Sequence, residues 1–164
     1  MDFTAVLTYI AEYWPRIIRS NPRQRGTLIG LPRPYLIPSD GAMFQEMYYW
    51  DSYFMSLGLV GTEQEHLIVD MAENMASLYR RFGIIPNANR YYFLARSQPP
   101  FFTALIRLAH DVKRRQGAPD ADGFLRRMMR LAEHEHETVW LGTAQPHHRQ
   151  VYRGLSRYFD INYL

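Results

Sequence analysis

Apolar residues recur at helical rather than alternating spacing along most of this chain. Val6, Leu7, Ile10, Trp14, Ile17 and Ile18 predict a first helix over roughly Phe3 to Ser20, with Pro15 expected to kink or restart it. Residues 21–43 carry Pro22, Pro32, Pro34 and Pro38 with Gly26, Gly30 and Gly41, and read as loop. From Phe44 to about Val60 the pattern is helical but apolar nearly all round, which predicts burial on most sides. Glu63 to Phe82 is cleanly amphipathic: Leu67, Ile68, Met71, Met75 and Leu78 face one way, and Glu65, Asp70, Glu73 and Arg80 another.

A second loop runs from Gly83 to Pro100. Ser97 is placed to cap a fourth helix, with Pro99 and Pro100 in its first turn. That helix continues on Phe101, Phe102, Leu105, Leu108, Ala109 and Val112 to about Gln116. Gly117-Ala118-Pro119-Asp120 breaks it, a fifth helix follows to about Leu141, and the tail from Gly142 reads as irregular. Strand patterns are nearly absent and no repeat of fixed period is present. The fold class is all-α, and a buried helix beside one with an exposed face predicts two concentric layers.

Composition narrows the partners. The chain has 164 residues, enough for one domain with a core, and 19 Lys+Arg against 16 Asp+Glu give a net charge of +3. That excess is too small to argue for nucleic acid, and Lys113-Arg114-Arg115 and Arg126-Arg127 read as solvated helix faces. Cysteine is absent, which excludes disulfides, thiolate metal sites and a Cys nucleophile. Residues 1–4 show no signal peptide and no run is long and apolar enough for a membrane span, so the expected location is cytoplasmic.

Two clusters carry candidate chemistry. Phe44-Gln45-Glu46-Met47-Tyr48-Tyr49-Trp50-Asp51-Ser52-Tyr53-Phe54 puts aromatic faces beside carboxylates and hydroxyls, a combination that suits a sugar ring. Asp51 is there either a satisfied core residue or an acceptor for substrate hydroxyls. The second cluster is Asn87, Asn89, Arg90, Arg96, Ser97 and Gln98 beside Tyr91 and Tyr92; it is either a solvated loop or a set of planar donors and acceptors for a ligand. His134-Glu135-His136-Glu137 and His147-His148 invite a metal reading. His134 and His136 point about 200° apart on a helix, however, and a charged outer helix end is the expectation, with no metal and no cofactor. No Gly-rich phosphate loop and no Gly-x-Ser-x-Gly elbow is present.

These segments, together with Tyr13-Trp14-Pro15, Leu31-Pro32-Arg33-Pro34-Tyr35-Leu36-Ile37-Pro38, Ile85-Pro86-Asn87-Ala88-Asn89-Arg90 and Arg96-Ser97-Gln98-Pro99-Pro100, resemble the N-terminal part of trehalases, the inverting α,α-trehalose hydrolases built on an (α/α)6 barrel. The resemblance is close over about residues 13–105 and weaker beyond. It implies that residues 1–164 form the N-terminal part of one catalytic domain, with about five of the barrel's twelve helices. It also implies a disaccharide substrate, trehalose or another α-glucoside, bound by Trp50, Asp51, Asn87, Arg96, Ser97 and Gln98.

Two departures matter. Pro38-Ser39-Asp40-Gly41-Ala42-Met43-Phe44 is two residues longer than the family's Pro-Gly-Gly-Arg-Phe and places Met43 where a sugar-binding arginine is expected, which opens the alternative of another α-glucoside. The Gly-Trp-Asp that carries the family's general acid and the later Gln-Trp-Asp signature are both absent, so no catalytic residue is assigned. The expectation is a fragment that does not hydrolyse trehalose by itself; a non-catalytic sugar-binding or helical interaction module is the alternative of another class. Helix faces left without neighbours are expected to make the chain self-associate, which a concentration series in sedimentation velocity would show; a monodisperse monomer would count against a partial toroid.

Overall fold

The computed structural model describes residues 2–142, 151–157 and 160. Five α-helices carry the fold: α1 Thr4–Tyr13, α2 Tyr49–Leu59, α3 His66–Phe82, α4 Phe102–Arg115 and α5 Ala121–Glu135. Two short antiparallel pairs accompany them. β1 Ile18–Arg19 lies on β2 Tyr35–Leu36, and β3 Val151–Tyr152 on β4 Leu155–Ser156. The second pair lies in the tail that reads as irregular. Its turn is made by Arg153 and Gly154, both at positive φ, the geometry that two-residue hairpins require. His147-His148 lies outside the described residues.

The core forms where α3 inserts between α2, α4 and α5. Leu67, Ile68, Met71, Ala72, Met75, Ala76 and Leu78 of α3 are buried, the face that its periodicity predicts. They meet Phe102, Leu105, Ile106, Ala109 and Val112 of α4, and Phe124, Met128 and Ala132 of α5. Gly83 ends α3 at φ +70, in the left-handed conformation that glycine adopts without a Cβ penalty, and its N–H bonds to the Tyr79 carbonyl. The proline-rich loop is anchored by buried Asn74, whose amide oxygen accepts the Arg33 N–H at 3.0 Å and whose amide nitrogen donates to the Arg33 carbonyl at 3.0 Å. Gly30 is required in that loop because a Cβ would stand 2.8 Å from the Arg23 carbonyl carbon.

Three expectations need correction. The predicted first helix stops at Tyr13, and a 3-10 turn over Trp14–Ile17 leads into β1, as Pro15 foreshadows. The second helix starts at Tyr49 rather than Phe44, because Phe44 sits at φ +60 and Tyr48 is extended. Nor is that helix buried all round. Tyr49, Ser52, Ser56 and Leu59 form its inner face, while Trp50, Phe54 and Leu57 stand 41%, 51% and 48% exposed on the opposite side. Small serines let α2 approach its neighbours closely, and each hydroxyl bonds back to the carbonyl four residues earlier, so none is left unsatisfied.

The outer face of α2, with Trp50, Phe54 and Leu57, and most of α1, with Val6, Leu7, Tyr9 and Ile10, leave two apolar surfaces largely exposed. That exposure is what the self-association expectation requires. Arg115 and Arg127 are solvated as expected and pair with Glu65 and Glu73, whereas the Lys113 side chain is mostly covered, lying over the Phe124 ring and pairing with Asp120. No helix among the described residues is long and apolar enough to cross a membrane.

Candidate sugar-binding site

The two clusters are separated in sequence and adjacent in space. Residues 47–49 and 87–89 run antiparallel through a single bridge between Tyr48 and Ala88. The Tyr49 N–H donates to the Asn87 carbonyl at 3.1 Å, and the Asn89 N–H to the Met47 carbonyl at 3.3 Å. Asn89 is fully buried and ties three segments together: its Oδ1 accepts the Met47 N–H at 2.8 Å and its Nδ2 donates to the Ile29 carbonyl at 2.8 Å. Satisfying both ends of a buried amide is what makes this junction rigid.

Glu46 and Arg90 close the same junction. Arg90 Nε donates to Glu46 Oε1 at 2.6 Å, the Tyr48 hydroxyl donates to Glu46 Oε2 at 3.2 Å, and Arg90 Nη1 reaches Thr27 Oγ1 at 3.0 Å. Both residues belong to the sequence-derived clusters, but their charges are spent on each other. They brace the site rather than offer themselves to a ligand.

On this frame the first turn of α2 presents Trp50 and Asp51. A helix leaves its first N–H groups without intrahelical partners, and the N-cap residue here, Tyr48, has no side-chain atom that satisfies them. Gln98 does so from 48 residues away: its Oε1 accepts the Trp50 N–H at 3.0 Å. Asp51 is half-buried. Burial pushes its carboxyl above the usual carboxylate range, and hydrogen bonds from its own backbone N–H, Gln98 and Trp50 pull it partly back. The outcome is a carboxylate fixed in direction and half open to solvent beside an exposed indole. Gln98→Ala is expected to cost about 1 kcal/mol in stability through the lost cap, with a matching drop in the denaturation midpoint; an unchanged midpoint would remove Gln98 as the cap of α2.

The remaining predicted residues differ in exposure and in what holds them. Asn87 is held by its main chain, with its N–H donating to the Arg96 carbonyl at 2.9 Å, and its half-buried side-chain amide has no hydrogen-bond partner among the described residues. The Arg96 guanidinium lies over the Phe93 ring at 5.1 Å, is exposed, and makes no ion pair among the described residues. Ser97 is a correction. It does not cap α4, which begins at Phe102; it is buried, and its hydroxyl donates to the Ile85 carbonyl at 2.8 Å. Ser97 therefore fixes the loop that carries Arg96 and Gln98. Met43 is 70% exposed and lines no part of the packed junction.

The polar segment near the end of α5 holds what sequence reasoning missed. Glu135 is buried rather than part of a charged outer end, and the Tyr49 hydroxyl donates to its two oxygens at 3.0 and 3.3 Å. Beside it the Tyr79 hydroxyl meets His134 Nδ1 at 2.5 Å and Thr138 Oγ1 at 3.0 Å. A signal was available: Ala121, Phe124, Met128, Ala132 and Glu135 fall on one helical stripe, so the periodicity runs the buried face through Glu135. No group of three His, Cys, Asp or Glu able to hold a metal occurs among the described residues.

Comparison with known proteins identifies relatives of this chain. The family profile described as Trehalase matches residues 2–162. A periplasmic trehalase of Xanthomonas campestris pv. campestris (strain B100) is 45% identical over 112 residues, covering 67% of this chain and 19% of its own. The periplasmic trehalase of Pseudomonas aeruginosa is 39% identical over 139 residues, covering 84% of this chain and 24% of its own. Among solved structures, a neutral trehalase of Saccharomyces cerevisiae superposes with a TM-score of 0.65 at 37% identity, over 76% of this chain and 22% of that one. The chain thus spans about a fifth of the length of the curated relatives it matches, and its helices correspond to part of an α/α toroid. On the strength of that profile and these relatives, the chain belongs to the trehalase family.

Proposed function

We propose that this chain supplies one wall of a glucose subsite in a glycoside hydrolase that cleaves α,α-trehalose with inversion. The observation that carries the reading is the bond between Gln98 and the Trp50 N–H, which joins two motifs 48 residues apart into one surface. On that surface the Trp50 indole stacks on the apolar face of the sugar, and Asp51 accepts hydroxyl protons. The exposed Arg96 fork and the Asn87 amide reach further hydroxyls, while Ser97 and Gln98 hold the loop and helix in register.

Inverting hydrolysis needs an acid and a base on opposite faces of the ring, with carboxyls about 6.5–9.5 Å apart. Asp51 is bonded to Gln98 and its own backbone N–H and has no second free carboxylate facing it among the described residues, so it is read as a hydroxyl acceptor rather than the general acid. The 164 residues contain no Gly-Trp-Asp, the motif expected to bring the acid. Binding without turnover is therefore the expected behaviour of this chain alone. Calorimetric titration with trehalose, paired with a glucose-release assay, tests it: heat of binding without glucose supports the reading, and neither heat nor glucose favours a bare helical module. Release of glucose that is lost in Asp51→Ala would overturn the assignment of Asp51.

One observation favours a different α-glucoside. Met43 stands exposed where the family pattern has an arginine, and a thioether cannot replace the hydroxyl bonds of a guanidinium. A larger calorimetric response to another α-glucoside than to trehalose would select that reading. A cytoplasmic location is carried as part of the proposal. The bacterial relatives named above are periplasmic trehalases, and cell fractionation decides between the two compartments.

A further inference from the structure

Glu135 is 3% exposed, and no lysine or arginine pairs with it among the described residues. From α2 it is met by the Tyr49 hydroxyl as hydrogen-bond donor, and the Trp140 indole of the turn that follows α5 lies near enough to favour its charged form. Tyr79 of α3 lies near enough to feel the charge of Glu135, and from α4 the Phe102 main chain bonds to the Tyr49 hydroxyl. His134, the adjacent residue of α5, is engaged with Tyr79. Glu135 therefore faces two phenols and an indole.

Tyr49 is the link to the sugar wall. It is the first residue of α2, 1% exposed, with its N–H on the Asn87 carbonyl and its hydroxyl on Glu135. Trp50 and Asp51 follow it directly in the chain. The helix end that holds Glu135 opens into a π-helical turn over His136–Trp140, closed by the Leu141 N–H on the His136 carbonyl at 2.8 Å. Such wide turns are frequent at functional sites.

We propose that Glu135 is a positioning residue for the sugar wall: through Tyr49 it fixes the first turn of α2, and gain or loss of its proton shifts Trp50 and Asp51 together. The consequence for sugar binding rests on the reading of those two residues as sugar contacts, but the displacement itself does not. With a neutral carboxyl, the bond to Tyr49 is one between uncharged groups. Ionisation creates a buried charge with no cation among the described residues to meet it, and the Tyr49 O–H···O⁻ bond strengthens and shortens in response. Burial pushes the Glu135 carboxyl up to about 7, so the two forms exchange near neutral pH.

The test is a nitrogen–proton correlation NMR titration of the 164-residue chain from pH 5 to 9. The Trp50 indole N–H and the Asp51 backbone N–H are expected to move with one shared midpoint. In Glu135→Gln that movement is lost. In Tyr49→Phe, which keeps the carboxylate but removes the link, the Glu135 carboxyl carbon still titrates and Trp50 stays still; this variant decides the matter if Glu135→Gln does not fold. A Trp50 signal that titrates unchanged in either variant, or does not titrate in the wild type, would overturn the proposal. Trehalose that fails to perturb Trp50 at any pH would remove the sugar reading and leave the positioning result standing.

Discussion

Replacing Arg90 by methionine is expected to lower the stability of this chain by about 3 kcal/mol, the low end of the range for breaking a buried ion pair from one side. The reason is Glu46. Its side chain is 8% exposed, and its one cationic partner among the described residues is Arg90, at 2.6 Å. Methionine keeps the apolar volume of the arginine stem but leaves the carboxylate buried beside a single phenol donor, Tyr48. Because the Arg90 side chain is itself 24% exposed, water entering the vacated space relieves part of the penalty, which places the estimate at the low end. In a chain of 164 residues this corresponds to a fall in Tm of roughly 6–12 °C. The double variant with Glu46→Gln removes the stranded charge and is expected to recover most of the loss. Equilibrium denaturation of the four chains of that cycle measures it; an Arg90→Met midpoint equal to wild type would show that the pair does not brace the junction of residues 47–49 with 87–89.

The second large effect is a pH dependence of stability opposite to the usual one for carboxylates. The Glu135 carboxyl is raised from an ordinary 4.5 to about 7 in the folded chain. Between those values the folded state holds a proton that the unfolded state has released. The stabilisation is therefore complete below about pH 4.5 and is lost as pH rises through about 7. The loss amounts to about 3 kcal/mol if the whole interval is used. Asp51 and Asp70 are raised in the same direction by burial, so they add to the slope. Glu135→Gln is expected to flatten the Glu135 share and to make the variant more stable than wild type above pH 7. Thermal melts from pH 4 to 9 check this; a wild-type Tm that climbs steadily from pH 5 to 8 would contradict it.

Much of the fold is legible in the sequence, and the failures have identifiable causes. Helices α3, α4 and α5 are announced by strong apolar stripes and by Gly83 and Gly117, which end the first two. For α2 the pattern misleads twice. The aromatic run suggests that the helix begins at Phe44, but local strain at that residue delays it to Tyr49. Its large apolar side chains suggest burial, yet the inner face is the one with Ser52 and Ser56, which allow close approach, and Trp50, Phe54 and Leu57 face outward. Composition cannot tell which side of such a helix meets a neighbour.

The site divides in the same way. Trp50, Asp51 and Gln98 come together as the clusters suggest. Ser97 does not act as a cap, because the two prolines that follow push the helix start on to Phe102. Glu135 is hidden from a reading of His134 to Glu137 as a charged end, since its partner Tyr49 lies 86 residues away. Only the buried stripe on α5 hints at it.

The central claim is that Trp50 and Asp51 form a sugar-binding surface. It is tested most directly by following the Trp50 indole and Asp51 amide signals of the 164-residue chain as trehalose is added, with Trp50→Ala and Asp51→Asn as controls. The account predicts saturable shifts confined to Trp50, Asp51, Asn87, Arg96 and Gln98, weakened at least tenfold in affinity by either substitution. Shifts centred elsewhere, or an affinity for trehalose that both substitutions leave unchanged, would contradict it.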